Sequence, residues 1–208
     1  RLSWRRGRLM SDFDDPRGAL CLGLANTWGN RGDATSDTLR SYDDVLRWAR
    51  GAGVVDGPEA RQLAELAARE PEEAARVLER TLVLREGLYR SCAAVAAGRA
   101  AEAEDLELLN RELALRPPAR LCSGGPCCEW CWPDTGPQLA QLLWPVVRSA
   151  AGLLTSEDAA RIRECAAPDC NWLFLDRSRN RSRRWCDMGS CGNRAKARRY
   201  YRRHQAGA

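Results

Sequence analysis

The sequence predicts a mainly α-helical domain, holding one small β-hairpin, followed by a small cysteine-bearing module. Three observations predict it. Apolar residues recur at helical spacing from position 41 onward. The rhythm breaks in a Gly-, Pro-, Cys- and Trp-rich stretch at 119–137, and four evenly paired cysteines follow position 163. A length of 208 residues suits one ordinary domain and a minor second one. Charge divides at the same place. Residues 161–208 carry 13 basic and 4 acidic side chains, net +9, whereas residues 1–160 carry 20 and 24, net −4. The expected organisation is a disordered or over-long start at 1–10, a helical body at 11–160 and a basic module at 161–208.

Taken in order, residues 19–25 read equally as a short helix or a buried strand, and 29–33 read as a loop. Tyr42, Val45, Leu46 and Ala49 fall at i, i+3, i+4 and i+7, and Gly51 and Gly53 stop that helix. Pro58 opens a second helix with Leu63, Leu66 and Ala67 on one face. Pro71 opens a longer third, faced by Leu78, Leu82, Tyr89, Cys92 and Ala96, interrupted by Arg85 and ending near Gly98. Leu106, Leu109 and Leu113 mark a fourth, closed by Pro117 and Pro118. After the turn or hairpin at 119–137, Leu139, Leu142, Leu143, Val146, Val147, Ala150 and Leu154 return to helical spacing, with a kink expected at Pro145. Thr155, with Asp158 three residues on, reads as the N-cap of a short helix ending near Arg163.

Cys165, Cys170, Cys186 and Cys191 form two C-x4-C pairs separated by fifteen residues. Two such loops bring four thiolates to one tetrahedral ion, the preference of zinc. The spacing lacks the tighter C-x2-C pairs of common ferredoxins. The first loop holds the turn-forming Ala167-Pro168-Asp169, and Trp172-Leu-Phe-Leu175 reads as a strand. A tail with so few large apolar side chains cannot build its own core, and zinc binding on the order of 10–16 kcal/mol can order it. The module is therefore expected to be a treble-clef-like zinc finger.

Basic residues surround the second pair. Arg177, Arg179, Arg181, Arg183 and Arg184 lead into it, and Arg194, Lys196, Arg198, Arg199, Arg202 and Arg203 lead out along a predicted helix. Four acids cannot neutralise this face, which points to nucleic acid. An acidic protein partner and a merely solvated surface are the competing readings. The arginines before Cys186 suit backbone phosphates. Asn193 and Arg194 are the candidates for base edges, although Asn193 also suits a helix cap.

These residues carry a resemblance. Cys165-Ala-Ala-Pro-Asp-Cys170, Trp172-Leu-Phe-Leu-Asp176, Arg177-Ser-Arg-Asn180, Arg183-Arg-Trp-Cys186, Met188 and Cys191-Gly-Asn-Arg194 resemble the CGNR zinc-finger family over about residues 160–203. Leu20-Cys-Leu-Gly-Leu-Ala-Asn-Thr27, Tyr42-Asp-Asp-Val-Leu-Arg-Trp48 and Gly53 resemble ABATE, the domain that usually precedes it and is proposed for stress-induced transcription regulators. The resemblance implies a bacterial zinc-dependent, DNA-binding transcription regulator with an N-terminal sensing domain. Asn26 and Thr27 either line a ligand pocket there or join structural elements.

A cluster outside the pattern, Cys122, Cys127, Cys128 and Cys131, reads as a second metal site, a redox group or inert thiols. Cys21 and Cys92 read as core thiols, and Trp130 and Trp132 as packing. The single histidine, His204, and a closed four-cysteine site offer neither a general base nor an open coordination position, so no enzyme is expected. The longest apolar run is seven residues, against about 20 for a membrane span, and the basic start lacks a signal-peptide core. A cytoplasmic regulator is the leading expectation. It would bind DNA through the zinc module and answer an effector ligand or homodimerisation through the body. An RNA-binding or ribosome-associated zinc protein, stacking Trp185 or Tyr200 on bases, is the alternative, as is a redox sensor at residues 122–131.

Overall fold

The computed structural model describes residues 4–6, 20–115, 120–124, 127–133 and 136–205. Among them are seven α-helices and five short strands. The strand β1 (Trp4–Arg6) comes first, within the segment expected to be a disordered or over-long start. It pairs antiparallel with β3 (Cys127–Pro133), which in turn pairs with β2 (Arg120–Gly124). The expected hairpin is therefore β2–β3, and the chain start adds a third strand to it.

The ambiguous apolar run is a helix, α1 (Leu20–Ala25), whose Cys21, Leu22, Leu24 and Ala25 are fully buried. Only a centrally placed helix is apolar all round. Next come α2 (Tyr42–Gly51) and α3 (Gly57–Arg69). Ser41 with Asp44, and Asp56 with Glu59, close reciprocal capping boxes that satisfy the first free N–H groups of each helix. The helix α4 (Pro71–Ala96), about 39 Å long at 1.5 Å per residue, is the spine against which α1, α2, α3 and α5 (Ala103–Leu115) pack. Its buried stripe runs through Val77, Thr81, Leu84, Leu88 and Cys92. Gly98, at φ 71°, ends α4 in the left-handed turn that glycine adopts without strain.

The face of α5 differs from the expected one. Leu109 is buried, but Leu106 is exposed, while Asp105 and Glu112 turn inward to Arg90 (2.5 Å) and Arg80 (2.9 Å) of α4. The closing Pro117 and Pro118 lie outside the described residues. The last body helix is α6 (Leu143–Leu154), reached through a 3-10 turn at Leu139–Leu142. Pro145 therefore stands in the first turn of α6, where its missing N–H leaves no bond unmade, and the expected mid-helix kink has no cause. Thr155 is the C-cap of α6 rather than an N-cap: its Oγ1 donates to the carbonyl of Ala151 at 2.7 Å, and Ser156 precedes the next 3-10 turn.

The strands β4 (Ile162–Glu164) and β5 (Leu173–Leu175) pair antiparallel. Ile162, Leu173 and Leu175 belong to the same apolar core as α1, α4 and α6. The charge boundary near position 161 is thus not a gap in the packing. The helix α7 (Asn193–Gln205) ends the described chain. No helix among the described residues is long and apolar enough to cross a membrane.

Candidate metal centre

Each cysteine owes its place to a local device. Cys165 directly follows β4, and its N–H donates to the carbonyl of Trp172 at 2.9 Å, extending the β4–β5 ladder. A tight turn, Cys170 N–H to Ala167 carbonyl at 3.1 Å, swings Cys170 back beside it. On the other side, Asp187 accepts from the Ser190 N–H at 2.8 Å and starts a π-helical turn at Met188–Gly192. That turn delivers Cys191 to the start of α7 and opposite Cys186.

All four Sγ atoms lie within 4.8 Å of one another. Cys170 to Cys186 is 3.8 Å and Cys186 to Cys191 is 3.7 Å. A tetrahedron with metal–sulfur bonds of about 2.3 Å has edges of about 3.8 Å, so the donor set fits one ion and is consistent with zinc. Cys165, Cys170 and Cys191 are buried and Cys186 half-buried, with Trp172 and Trp185 packed around them. The Cys186 thiol, hydrogen-bonding to Cys170, holds the latter well below its ordinary value against the effect of burial. Arg194 Nη2 approaches Cys191 Sγ at 3.0 Å and supplies a positive neighbour to the sulfur cluster.

The basic residues divide into two groups. Arg183 is structural: its guanidinium donates to the carbonyls of Trp185 and Cys186 and lies over the Phe174 ring. Arg194 and Arg198 both reach Asp169, at 3.5 and 3.1 Å, tying α7 to the first cysteine loop. Arg177, Arg179, Arg181, Arg184, Lys196, Arg199 and Arg202 are exposed. The side chain of Arg203 is outside the described residues. Asn193 donates to the Gly189 carbonyl at 3.0 Å, bracing the π-helical turn rather than capping a helix N-terminus.

The sequence reading missed Asp176. It is fully buried and accepts from Ser178 N–H (2.9 Å), Ser178 Oγ (2.5 Å) and Arg183 N–H (3.0 Å). Burial opposes its charge, yet these donors hold the carboxyl below its ordinary value. One acid thereby shapes the loop that carries Arg177 to Arg184. An aspartate beside an arginine run was the available signal.

Asn26 and Thr27 join elements. Asn26 bonds both backbone groups of Leu173, and Thr27 Oγ1 donates to the Leu24 carbonyl at the end of α1. Arg85, which interrupted an apolar stripe in the sequence, is buried and doubly bonded to Asp37 at 2.6 and 2.8 Å. Arg31 reaches Glu86 at 3.0 Å, lies 3.4 Å over the Tyr89 ring and has its own N–H on Asn171, next to Cys170. Tyr89 donates to Glu164 of β4 at 2.7 Å. This polar seam runs from the body to the metal centre.

At the separate hairpin, Cys122 is disulfide-bonded to Cys131. In this bonded form neither sulfur of the pair is available as a metal ligand. The side chains of Cys127, Cys128, Trp130 and Trp132 are outside the described residues. Cys21 and Cys92 are fully buried, as core thiols, and neither belongs to a disulfide.

Four clustered thiols at the root of a basic helix, carried on a helical body, define a zinc-finger protein with an attached α-domain. Residues 161–204 match the CGNR zinc finger, and residues 18–157 match ABATE, described as "Putative stress-induced transcription regulator". The chain belongs to the ABATE family. No curated protein matches it.

Proposed function

We propose that the protein is a zinc-dependent, DNA-binding transcription regulator of the cytoplasm. In this reading residues 161–208 contact DNA and residues 11–160 sense a signal, through an effector ligand or through homodimerisation. One observation carries it: the acids of the basic segment are already engaged. Glu164 accepts from Tyr89, Asp169 holds Arg194 and Arg198, and Asp176 and Asp187 accept backbone N–H groups. Among the described residues, Arg179, Arg181, Arg184, Lys196, Arg199 and Arg202 have no carboxylate within ion-pair distance, an arrangement suited to phosphates.

The test uses the full zinc-loaded chain, because β4 and β5 are part of the body's core. Duplex DNA affinity is measured against salt, and each phosphate contact should contribute about −0.9 to the log–log slope. A flat salt response rejects the reading. Single-stranded RNA competing better than duplex DNA moves the assignment to RNA.

A second reading, a thiol redox sensor, is favoured by the Cys122–Cys131 bond. The strand register sets Cys122 opposite Glu129, two residues from Cys131. A two-electron exchange with a low-molecular-weight disulfide would break two S–H bonds, form this S–S bond and release two small thiols. Alkylation of Cys122 and Cys131 should be blocked after oxidation and restored by reductant. Equal labelling in both states rejects it.

A further inference from the structure

A groove of about 550 Å³ lies beside the metal centre, between the first cysteine loop at 166–168 and α7, with Trp185 in its wall. Arg184, Arg198, Arg199 and Arg202 border it, and Ala195 lies on its α7 side. These four cations come from two separate segments, the loop that Asp176 shapes and the helix that the metal centre starts. They converge because both segments pack on the same cluster and are tied to the first cysteine loop, Arg184 by its carbonyl accepting from the Ala166 N–H at 2.8 Å and α7 by Arg198 on Asp169.

We propose that this groove is the seat of the nucleic-acid backbone, a phosphodiester site rather than a diffuse basic surface. The inference rests on the DNA-binding reading and says where on the module the strand lies. Arg198 is held at the groove by Asp169, at 3.1 Å, so its position is set before any ligand arrives. Arg199, Arg202 and Arg184 remain without a carboxylate partner among the described residues. Arg198 and Arg202, one helical turn apart, stand about 6 Å from each other along the axis. A dication with four thiolates carries a net charge of −2, and Cys191 is one of the residues lining the groove. Arg194 faces that sulfur, and the four bordering guanidiniums outweigh the remaining negative charge. The small Ala195 leaves room for an entering strand, and Trp185 offers it an apolar wall.

The experiment fills the groove without changing its charge. Ala195→Trp in the full-length, zinc-loaded protein should lower duplex DNA affinity by roughly tenfold or more with metal content unchanged. Ala197→Trp adds the same bulk on the same helix at an exposed position that does not line the groove, and should leave affinity as it was. Should Ala195→Trp fail to fold, the double variant Arg184→Ala, Arg199→Ala replaces it, and should reduce the salt slope by about 1.8. An Ala195→Trp protein that binds DNA as the parent does overturns the groove while leaving the DNA reading intact. A parent protein with no salt-dependent DNA binding fails that reading itself, and the groove assignment with it. Inorganic pyrophosphate tests the free source of the same chemistry. If it binds the parent but not Ala195→Trp, while both bind DNA equally, the groove takes small phosphates and the assignment is overturned.

Discussion

Asn26 clasps Leu173 across 147 residues of chain: Nδ2 donates to its carbonyl and Oδ1 accepts its N–H, both at 2.8 Å. The backbone groups involved point away from β4, so the amide stands where a third strand would pair. It satisfies the edge of the β4–β5 hairpin inside the core, where unpaired groups are costly.

Asn26→Ala leaves one buried donor and one buried acceptor unmatched. The expected loss is about 2–6 kcal/mol, taking about 1–3 for each group. Urea unfolding of the zinc-loaded protein measures it. An unchanged midpoint means that the clasp contributes nothing to stability.

Arg85→Met removes the buried partner of Asp37. Arg85 is 2% exposed but Asp37 is 21% exposed, so water recovers part of the stranded carboxylate. A loss of about 3 kcal/mol, the lower end for a broken buried pair, is expected in the same unfolding experiment.

Acid should destabilise the fold through its depressed carboxyls, among them Asp37 and Asp176. Burial raises Asp37, but Arg85 and the Leu39 N–H outweigh it, and the carboxyl sits below its ordinary value. Asp176 is lowered likewise by Ser178 and Arg183. A depressed folded value means that the stabilisation is complete above the unfolded value of about 3.9 and disappears as pH falls through the folded one. Urea midpoints should therefore hold from neutrality to about pH 5 and drop below about pH 4. Asp176→Asn should flatten the drop, and an equally steep fall in that variant excludes Asp176 as a source.

Metal removal should be felt beyond the finger. Chelation, or Cys186→Ser, should melt the 13-residue α7 and free the loop that Asp176 anchors. Because Ile162, Leu173 and Leu175 share the body's core, the thermal midpoint of α1–α6 should fall as well. Circular dichroism follows both, with metal analysis alongside. A Cys186→Ser protein retaining one equivalent of metal rejects the ligand set.

Much of this was readable from local chemistry. The prolines at 58 and 71 mark helix starts by their own fixed backbone angle, with no distant partner needed. The thiol cluster was legible because metal-ligand spacing is a short-range pattern. Pairings across long separations were not. Nothing in the periodicity of α4 says that Arg85 meets Asp37, or that Asp105 and Glu112 turn inward to arginines. The three-residue β5 is buried at every position, so it shows no alternation from which its partner could be inferred. Thr155 misled because a threonine hydroxyl can cap the helix that follows or bond back to the carbonyl four residues earlier, as it does here to Ala151.

The interior that Ile162, Leu173 and Leu175 share with the helices constrains exchange of parts during evolution. A finger transplanted onto a foreign body would arrive with a greasy underside and an unmet Leu173 edge. A body stripped of its finger would be left with a hole beside α1 and an idle Asn26. The two halves must therefore change in concert, as mates of one mould rather than beads on a string.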